Sequence, residues 1–170
     1  MLIKFAVKNF RGFAERIEWD LSHPSNYSFN TYAVKDGVIK NGIIYGPNGS
    51  GKSNFALAIF DIEYHLSVKW KKADYLSNYV YIGNPNSPVE FEYVFKFGND
   101  ILEYRYSKNA SGMLIAESLV ANNKQVFKRE NALELSCAML KNISKEELSE
   151  MKKRAQDAGV ILTAGYGPNA

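Results

Sequence analysis

The chain has 170 residues, of which 46% are hydrophobic and 23% charged, with a net charge of +3. That length suits one hydrophobic core, and the composition with its negative mean hydropathy argues against a disordered chain or a bilayer protein. So small a charge neither demands nor excludes a nucleic-acid partner.

No run reaches the ~20 apolar residues of a membrane span. The opening MLIKFAVKNF alternates as a strand does and lacks the long apolar centre of a signal peptide, so a cytoplasmic protein is expected. Within it, Leu2, Lys4 and Ala6 alternate with Ile3, Phe5 and Val7, and a second short strand is expected over residues 16–21. SHPSNYSFN reads as a connecting loop. VIKNGIIY, residues 38–45, predicts a strand running straight into Gly46. Beyond Lys52 the apolar residues Phe55, Ala56, Ile59, Phe60 and Leu66 recur at helical spacing, which predicts a helix over 51–68 with one buried face. The cluster Lys69, Lys71 and Lys72 reads as a solvated face.

Residues 79–128 change character. VEFEYVFKF, ILEYRY, MLIAESLV and KQVFKR are separated by Gly98-Asn99, Asn109 to Gly112 and Asn122-Asn123, the spacing of antiparallel hairpins. Val89, Phe91, Tyr93, Phe95 and Phe97 share one face, Glu90, Glu92 and Lys96 the other, so one side should meet a core. The aromatic face is read as sheet packing and not as a base-stacking platform. A charged surface helix is expected over 145–158: Ser144 and Glu147 have capping-box spacing, Glu150 stands four before Arg154, and Gly159 ends the run. VILTAGYGPNA then begins another strand or turn. The single Cys137 allows no internal disulfide and is assigned a buried apolar role.

The chemistry lies in GPNGSGKS. Gly46, Gly51, Lys52 and Ser53 fit G-x-x-x-x-G-K-[ST], with Pro47, Asn48, Gly49 and Ser50 inside the loop and Asn54 just after it. Glycines let backbone N–H groups curl around an anion. Lys52 supplies a charge for β and γ phosphates, the Ser53 hydroxyl a ligand for Mg2+, and the helix that follows its N-terminal partial charge. Such a loop holds a nucleotide, but hydrolysis also needs an acid at the end of a buried strand and a group that orients water. No apolar strand ends in Asp-Glu. The nearest imitation, LAIFDIE, falls in the expected helix, so Asp61 and Glu63 are read as lying along a helix surface. IEWD and DILEY put acids near strands that lie before the loop or within the hairpins.

FAVKNFRGF (residues 5–13), followed by YGPNGSGKS, resembles the N-terminal half of the SMC-like and RecF-like ABC-type ATPases, AAA-family hydrolases in which a strand ending in N-F-R precedes the P-loop (Walker A). The hairpin elements FEYVFKF, YRY, IAESL and VFKR are similar to those of bacterial ATP-binding proteins of that clan found in anti-phage and abortive-infection systems. The resemblance covers residues 1 to about 130 and implies a mixed α/β (α+β) chain, an incomplete ABC-type head of the P-loop NTPase fold with an antiparallel β-hairpin lobe. It implies ATP and Mg2+ as cofactors. Asn48 would face the γ phosphate, Lys52 the β and γ phosphates and Ser53 the metal, with Asn9 and Arg11 close to the nucleotide. A surface salt bridge is the alternative for Arg11. The family's glutamine between lobes has only Gln125 as a match, inside a hairpin. The signature motif, the second acidic motif and the late histidine are absent; ELSCAML shares only Leu135-Ser136 with the first.

Residues 1–130 are therefore expected to form an N-terminal nucleotide-binding lobe, and 131–170 a helical start of a truncated remainder, the chain being a fragment, a truncated product or part of a split protein. In the complete protein two heads would close on two ATPs and reopen on hydrolysis. The implied partners are a missing C-terminal lobe or a second copy, with DNA or an effector nuclease as output and no membrane. The competing readings are a non-catalytic module that keeps ATP as a structural ligand, and a small P-loop kinase, for which Arg105, Arg129 and Arg154 are too scattered to build a lid.

Overall fold

Residues 1–25, 28, 29, 31–67, 73–130, 133–135, 146 and 149 are described in the computed structural model of the chain. Alternation at the N-terminus becomes β1 (Leu2–Lys8), paired antiparallel with β2 (Ile17–Asp20) through Phe5 opposite Trp19. The hairpins form as the sequence predicts: β5 (Val89–Phe97), β6 (Asp100–Lys108), β7 (Leu114–Ala121) and β8 (Lys124–Arg129) follow one another as antiparallel neighbours. Asn122 and Asn123 turn the last of them at φ 48° and 62°, the double left-handed turn that matches strand twist. β1 pairs with β5, placing Phe5 opposite Tyr93 and Val7 opposite Phe91, so the sheet runs β2-β1-β5-β6-β7-β8-β9. Its last strand, β9 (Leu133–Leu135), opens the segment expected to be helical. Glu146 and Ser149 are helical and exposed. The capping box, Arg154, Gly159, the final strand or turn, Cys137 and the Lys69–Lys72 cluster lie outside the described residues.

The strand expected over 38–45 is overturned. Only Val38–Ile39 (β4) is strand, in a two-residue hairpin with β3 (Val34–Lys35), and residues 40–47 have no regular structure. Strand geometry needs a ladder partner; Lys40 still donates to the Ala33 carbonyl at 2.6 Å, but among the described residues no strand pairs with 41–47, which leaves Ile43 91% and Tyr45 90% exposed.

The helix α1 (Lys52–Leu66) lies within the predicted bounds, but a different face is buried. Ala58 and Asp61 are fully enclosed, and Phe55, Leu57, Ile59, Ile62 and Tyr64 pack on the core. Ala56, Phe60 and Leu66, expected inside, face outward. With apolar side chains on every side, the period could not select the face.

The core fills the space between α1 and one face of the sheet: Phe5, Val7, Val89, Phe91, Tyr93, Tyr104, Tyr106 and Phe127 meet Ala58, with Phe10, Tyr75 and Tyr79 closing one side. Phe91 and Tyr106 stack across β5 and β6 with ring centroids 4.9 Å apart. Tyr93 carries a hydroxyl into this core and donates it to the Ala58 carbonyl at 2.8 Å, binding helix to sheet. Of the predicted apolar face, Phe97 alone emerges, 55% exposed at the hairpin end. The opposite face is polar, and Glu92 gathers Arg105 at 3.0 Å, Arg16 at 3.2 Å and Lys4 at 3.6 Å.

Candidate functional site

The loop between residue 46 and α1 has the conformation its glycines permit. Gly49 and Gly51 take φ 82° and 92°, where a side chain would be strained, and Gly51 is the N-cap of α1 with no side chain capping the helix. Lys52 folds back over the loop, its Nζ donating to the carbonyls of Gly46 at 2.8 Å and Pro47 at 2.7 Å. The ammonium is thus held at the mouth of the loop by two neutral acceptors that an anion can replace. Ser53 is exposed on the first helical turn, and Pro47, Asn48, Gly49 and Ser50 are exposed in the loop. These residues fit a phosphate group. For Mg2+ the chain offers the Ser53 hydroxyl, and among the described residues no cluster of three His, Cys, Asp or Glu side chains stands ready for a metal, so such an ion would be shared with phosphate oxygens and water.

The N-F-R element reaches the loop through its turn. Phe10 and Phe13 exchange backbone hydrogen bonds at 3.0 and 2.8 Å, with Arg11 between them at φ 49°. This swings Phe13 against the loop: a Cβ on Gly51 would lie 3.0 Å from the Phe13 ring, and one on Gly12 would lie 3.4 Å from the Asn54 amide nitrogen. Asn9 and Arg11 have other engagements. Asn9 is buried, and its Nδ2 donates to the carbonyls of Asn84, Ser87 and Pro88 at 3.1, 2.8 and 3.2 Å. Arg11 donates from Nη2 to the Tyr75 carbonyl at 2.7 Å and lies over the Phe10 and Tyr75 rings, so the surface salt bridge considered for it is replaced by a backbone clip. Gln125 is exposed on β8.

Beside the loop lies a cleft of about 430 Å³, bordered by Phe13, Trp19, Ile44, Tyr45 and Phe55 and open to Gly46, Ser50 and Lys52. Glu18 borders the cleft as well, but on β2 it alternates with Trp19, so its carboxylate lies on the polar face of the sheet, shared there between Lys4 and Arg16, each at 3.1 Å. The Lys4 hydrogen bond, with Arg16 adding to it, holds the Glu18 pKa below the usual carboxylate range. Sequence reasoning passed over this wall because it comes from three separate stretches; the one local signal was a tryptophan in a four-residue strand.

Asp61 corrects the sequence reading outright. Glu63 is on the surface as expected, whereas Asp61 is fully buried, because residue 61 of α1 faces the sheet. Its Oδ1 accepts from Tyr75 at 2.6 Å and Tyr79 at 2.9 Å; its Oδ2 accepts from Tyr106 at 2.8 Å and from Lys108, itself 1% exposed. Burial opposes the charge, but the Lys108 ammonium and the hydroxyl donors outweigh it, and the Asp61 pKa is lowered. Burial and the Asp61 charge push the Tyr75 and Tyr79 hydroxyls far upward, so both remain donors. A second buried acid, Glu117, accepts from Tyr104 at 2.8 Å, and the same Tyr104 oxygen meets His65 Nε2 at 2.8 Å. Burial raises the Glu117 pKa. Both acids are walled off from the loop and act as struts between α1 and the sheet.

No family model matches the chain. Over 40 residues it is 48% identical to a D-psicose 3-epimerase of Enterocloster bolteae, a stretch that covers 22% of this chain and 13% of that enzyme. The chain therefore spans about an eighth of that relative, and so short a match carries no shared fold or activity. Among the described residues no helix is long and apolar enough to cross a membrane.

Proposed function

We propose that this chain binds ATP with Mg2+ through residues 46–53, as the N-terminal half of a cytoplasmic SMC-like ABC-type ATPase that hydrolyses ATP when complete. The observation that carries the reading is Lys52 held over the loop by the Gly46 and Pro47 carbonyls, above left-handed Gly49 and Gly51 and an uncapped helix. Incoming phosphate would take the ammonium from those carbonyls, receive the first-turn N–H groups and bring the metal to Ser53.

Incompleteness is supported by what α1 and its preceding segment leave bare. Ile43, Ile44, Tyr45, Phe60 and Leu66 are between 46% and 91% exposed, on α1 and on a segment that pairs with no strand among the described residues. A continuous apolar run flanking a phosphate loop suits a strand buried on both faces. A further lobe of the same ATPase, or a second copy of the chain, would cover this side and contribute the missing acid. Defence against phage, or work on DNA, is the setting the resemblance suggests.

The non-catalytic reading is favoured by one observation: Glu18, an acid that borders the cleft, has its carboxylate turned to the polar face of the sheet and bound there by Lys4 and Arg16. Both readings make the same forecast for the isolated chain, binding of ATP without turnover. Incubation with ATP and Mg2+ and measurement of released phosphate tests it; turnover near the ~1–10³ s⁻¹ of ordinary enzymes would overturn the incomplete-head reading.

A further inference from the structure

We propose that Asn48 is a site of uncatalysed covalent modification. The Gly49 amide nitrogen attacks its side-chain carbonyl, the residue becomes aspartate or isoaspartate, and the phosphate cradle is lost unless a nucleotide already occupies it. The loss of binding rests on the phosphate-binding reading of residues 46–53; the conversion itself does not.

Asparagine followed by glycine is open to this chemistry because no Cβ on the second residue hinders the approach of its nitrogen. The chain has two such pairs, Asn41-Gly42 and Asn48-Gly49, with all four residues exposed. Their surroundings differ. At Gly42 the Trp19 indole crowds the backbone, 3.0 Å from where a Cβ would stand, whereas at Gly49, φ 82°, nothing lies within 4 Å of that position. The Ser50 N–H is held by the Pro47 carbonyl at 3.3 Å, but among the described residues the Gly49 N–H meets no backbone acceptor. Ring closure builds negative charge on the attacking nitrogen and the side-chain oxygen. Lys52, with Nζ 2.7 Å from the carbonyl of Pro47 directly before Asn48, and the uncapped N-terminus of α1 favour that charge as they favour phosphate. Other asparagines are tied down: Asn9 by three carbonyls, Asn109 by Ser111 and Met113, Asn122 by Ile101 and Asp100.

A bond forms between the Gly49 nitrogen and Asn48 Cγ while the Cγ–Nδ2 bond breaks, and ammonia leaves with the amide proton. Water from the solvent then opens the cyclic imide. Cleavage at Cγ gives aspartate, and cleavage at the main-chain carbonyl gives isoaspartate, with the chain rerouted through the side chain. Either product sets a carboxylate in a cradle built for anions, where it repels phosphate and competes for Lys52.

The intact chain is held in mildly alkaline buffer, with and without ATP and Mg2+, and in mildly acidic buffer, where the amide nitrogen is not ionised. Trypsin, cutting after Lys40 and Lys52, releases both pairs on one peptide, and tandem mass spectrometry places each gain of about 1 Da. Calorimetry follows ATP affinity in the same samples and in Asn41→Gln, which removes the other pair. In alkali Asn48 is expected to convert ahead of Asn41, and the converted chain to bind ATP at least about tenfold more weakly, in the parent and in Asn41→Gln alike. ATP with Mg2+ should slow conversion at Asn48 and leave Asn41 unchanged, and acid should preserve both the mass and the affinity. An Asn48 that stays intact, or that converts after Asn41, would overturn the site. Converted chain that binds ATP as fresh chain does, or ATP slowing both asparagines equally, would overturn its link to the cradle. Fresh chain that does not bind ATP would overturn the phosphate-loop reading and that link, while the conversion, read by mass alone, would stand or fall separately.

Discussion

Replacing Asp61 with asparagine is the sharpest perturbation of the fold. The side chain keeps its shape and one acceptor oxygen for the tyrosine hydroxyls, but the carboxylate charge opposite Lys108 is removed and an amide competes for the same space. Both partners are within 1% of complete burial, so solvent cannot take the place of the lost charge. Breaking a buried pair from one side costs about 3–5 kcal/mol. Since the amide retains two of the contacts, the lower end applies, about 3 kcal/mol, which for a chain of this size lowers Tm by about 6–12 °C. Urea unfolding followed by circular dichroism measures it directly. Lys108→Met removes the opposite charge with little change of volume, so the Asp61→Asn/Lys108→Met double variant should be more stable than the two single losses predict, by about 1 kcal/mol or more. A loss under ~0.5 kcal/mol for Asp61→Asn, or strict additivity in the double variant, would refute the claim that this ion pair fastens α1 to the sheet.

Three further outcomes follow from the same geometry. Tyr93→Phe should lose about 1 kcal/mol in urea unfolding, because the Ala58 carbonyl at 2.8 Å loses its buried donor; an unchanged midpoint would remove that bond from the helix–sheet contact. Acid should destabilise the parent more than Asp61→Asn. The lowered Asp61 pKa contributes stability that is full above the ordinary value of 3.8 and is lost as pH falls through the folded value. Glu117, whose raised pKa acts in the opposite sense, is present in both proteins and cancels in the difference; parallel stability curves from pH 7 to pH 2 would contradict the assignment. Gly51→Ala should cost about 1–2 kcal/mol, since alanine is strained at φ 92° and its Cβ would press on Phe13 at 3.0 Å; melting at the parent temperature would count against this packing.

The hairpins were legible in the sequence because their information is local. Val89 to Phe97 alternate apart from Val94, and two-residue turns such as Asn122-Asn123 fix the pairing within a few residues. The glycine turn that leads into α1 was legible for the same reason. The buried face of α1 was not, since Phe55 to Leu66 is apolar on every side, and the most enclosed side chain on it is a charge. That charge is matched by a lysine 47 residues away, a pairing no local pattern announces. The Trp19 wall depends on β2 folding back on β1, which sets Trp19 opposite Phe5 and brings it to Phe55. The strand expected over 38–45 failed for a different reason: β-branched Val38, Ile39, Ile43 and Ile44 supply propensity, but a strand exists only with a neighbour to pair with.

The most direct test of the central claim is equilibrium binding of ATP with Mg2+ to the parent chain and to Lys52→Ala. Among the described residues the Lys52 ammonium hydrogen-bonds the exposed loop carbonyls of Gly46 and Pro47, so its loss should leave the fold intact. The parent is predicted to bind, and the variant to lose at least about tenfold in affinity, the worth of one charge-assisted contact. A Lys52→Ala chain that binds ATP as tightly as the parent, or a folded parent that does not bind it, would contradict the assignment of GPNGSGKS as a phosphate cradle.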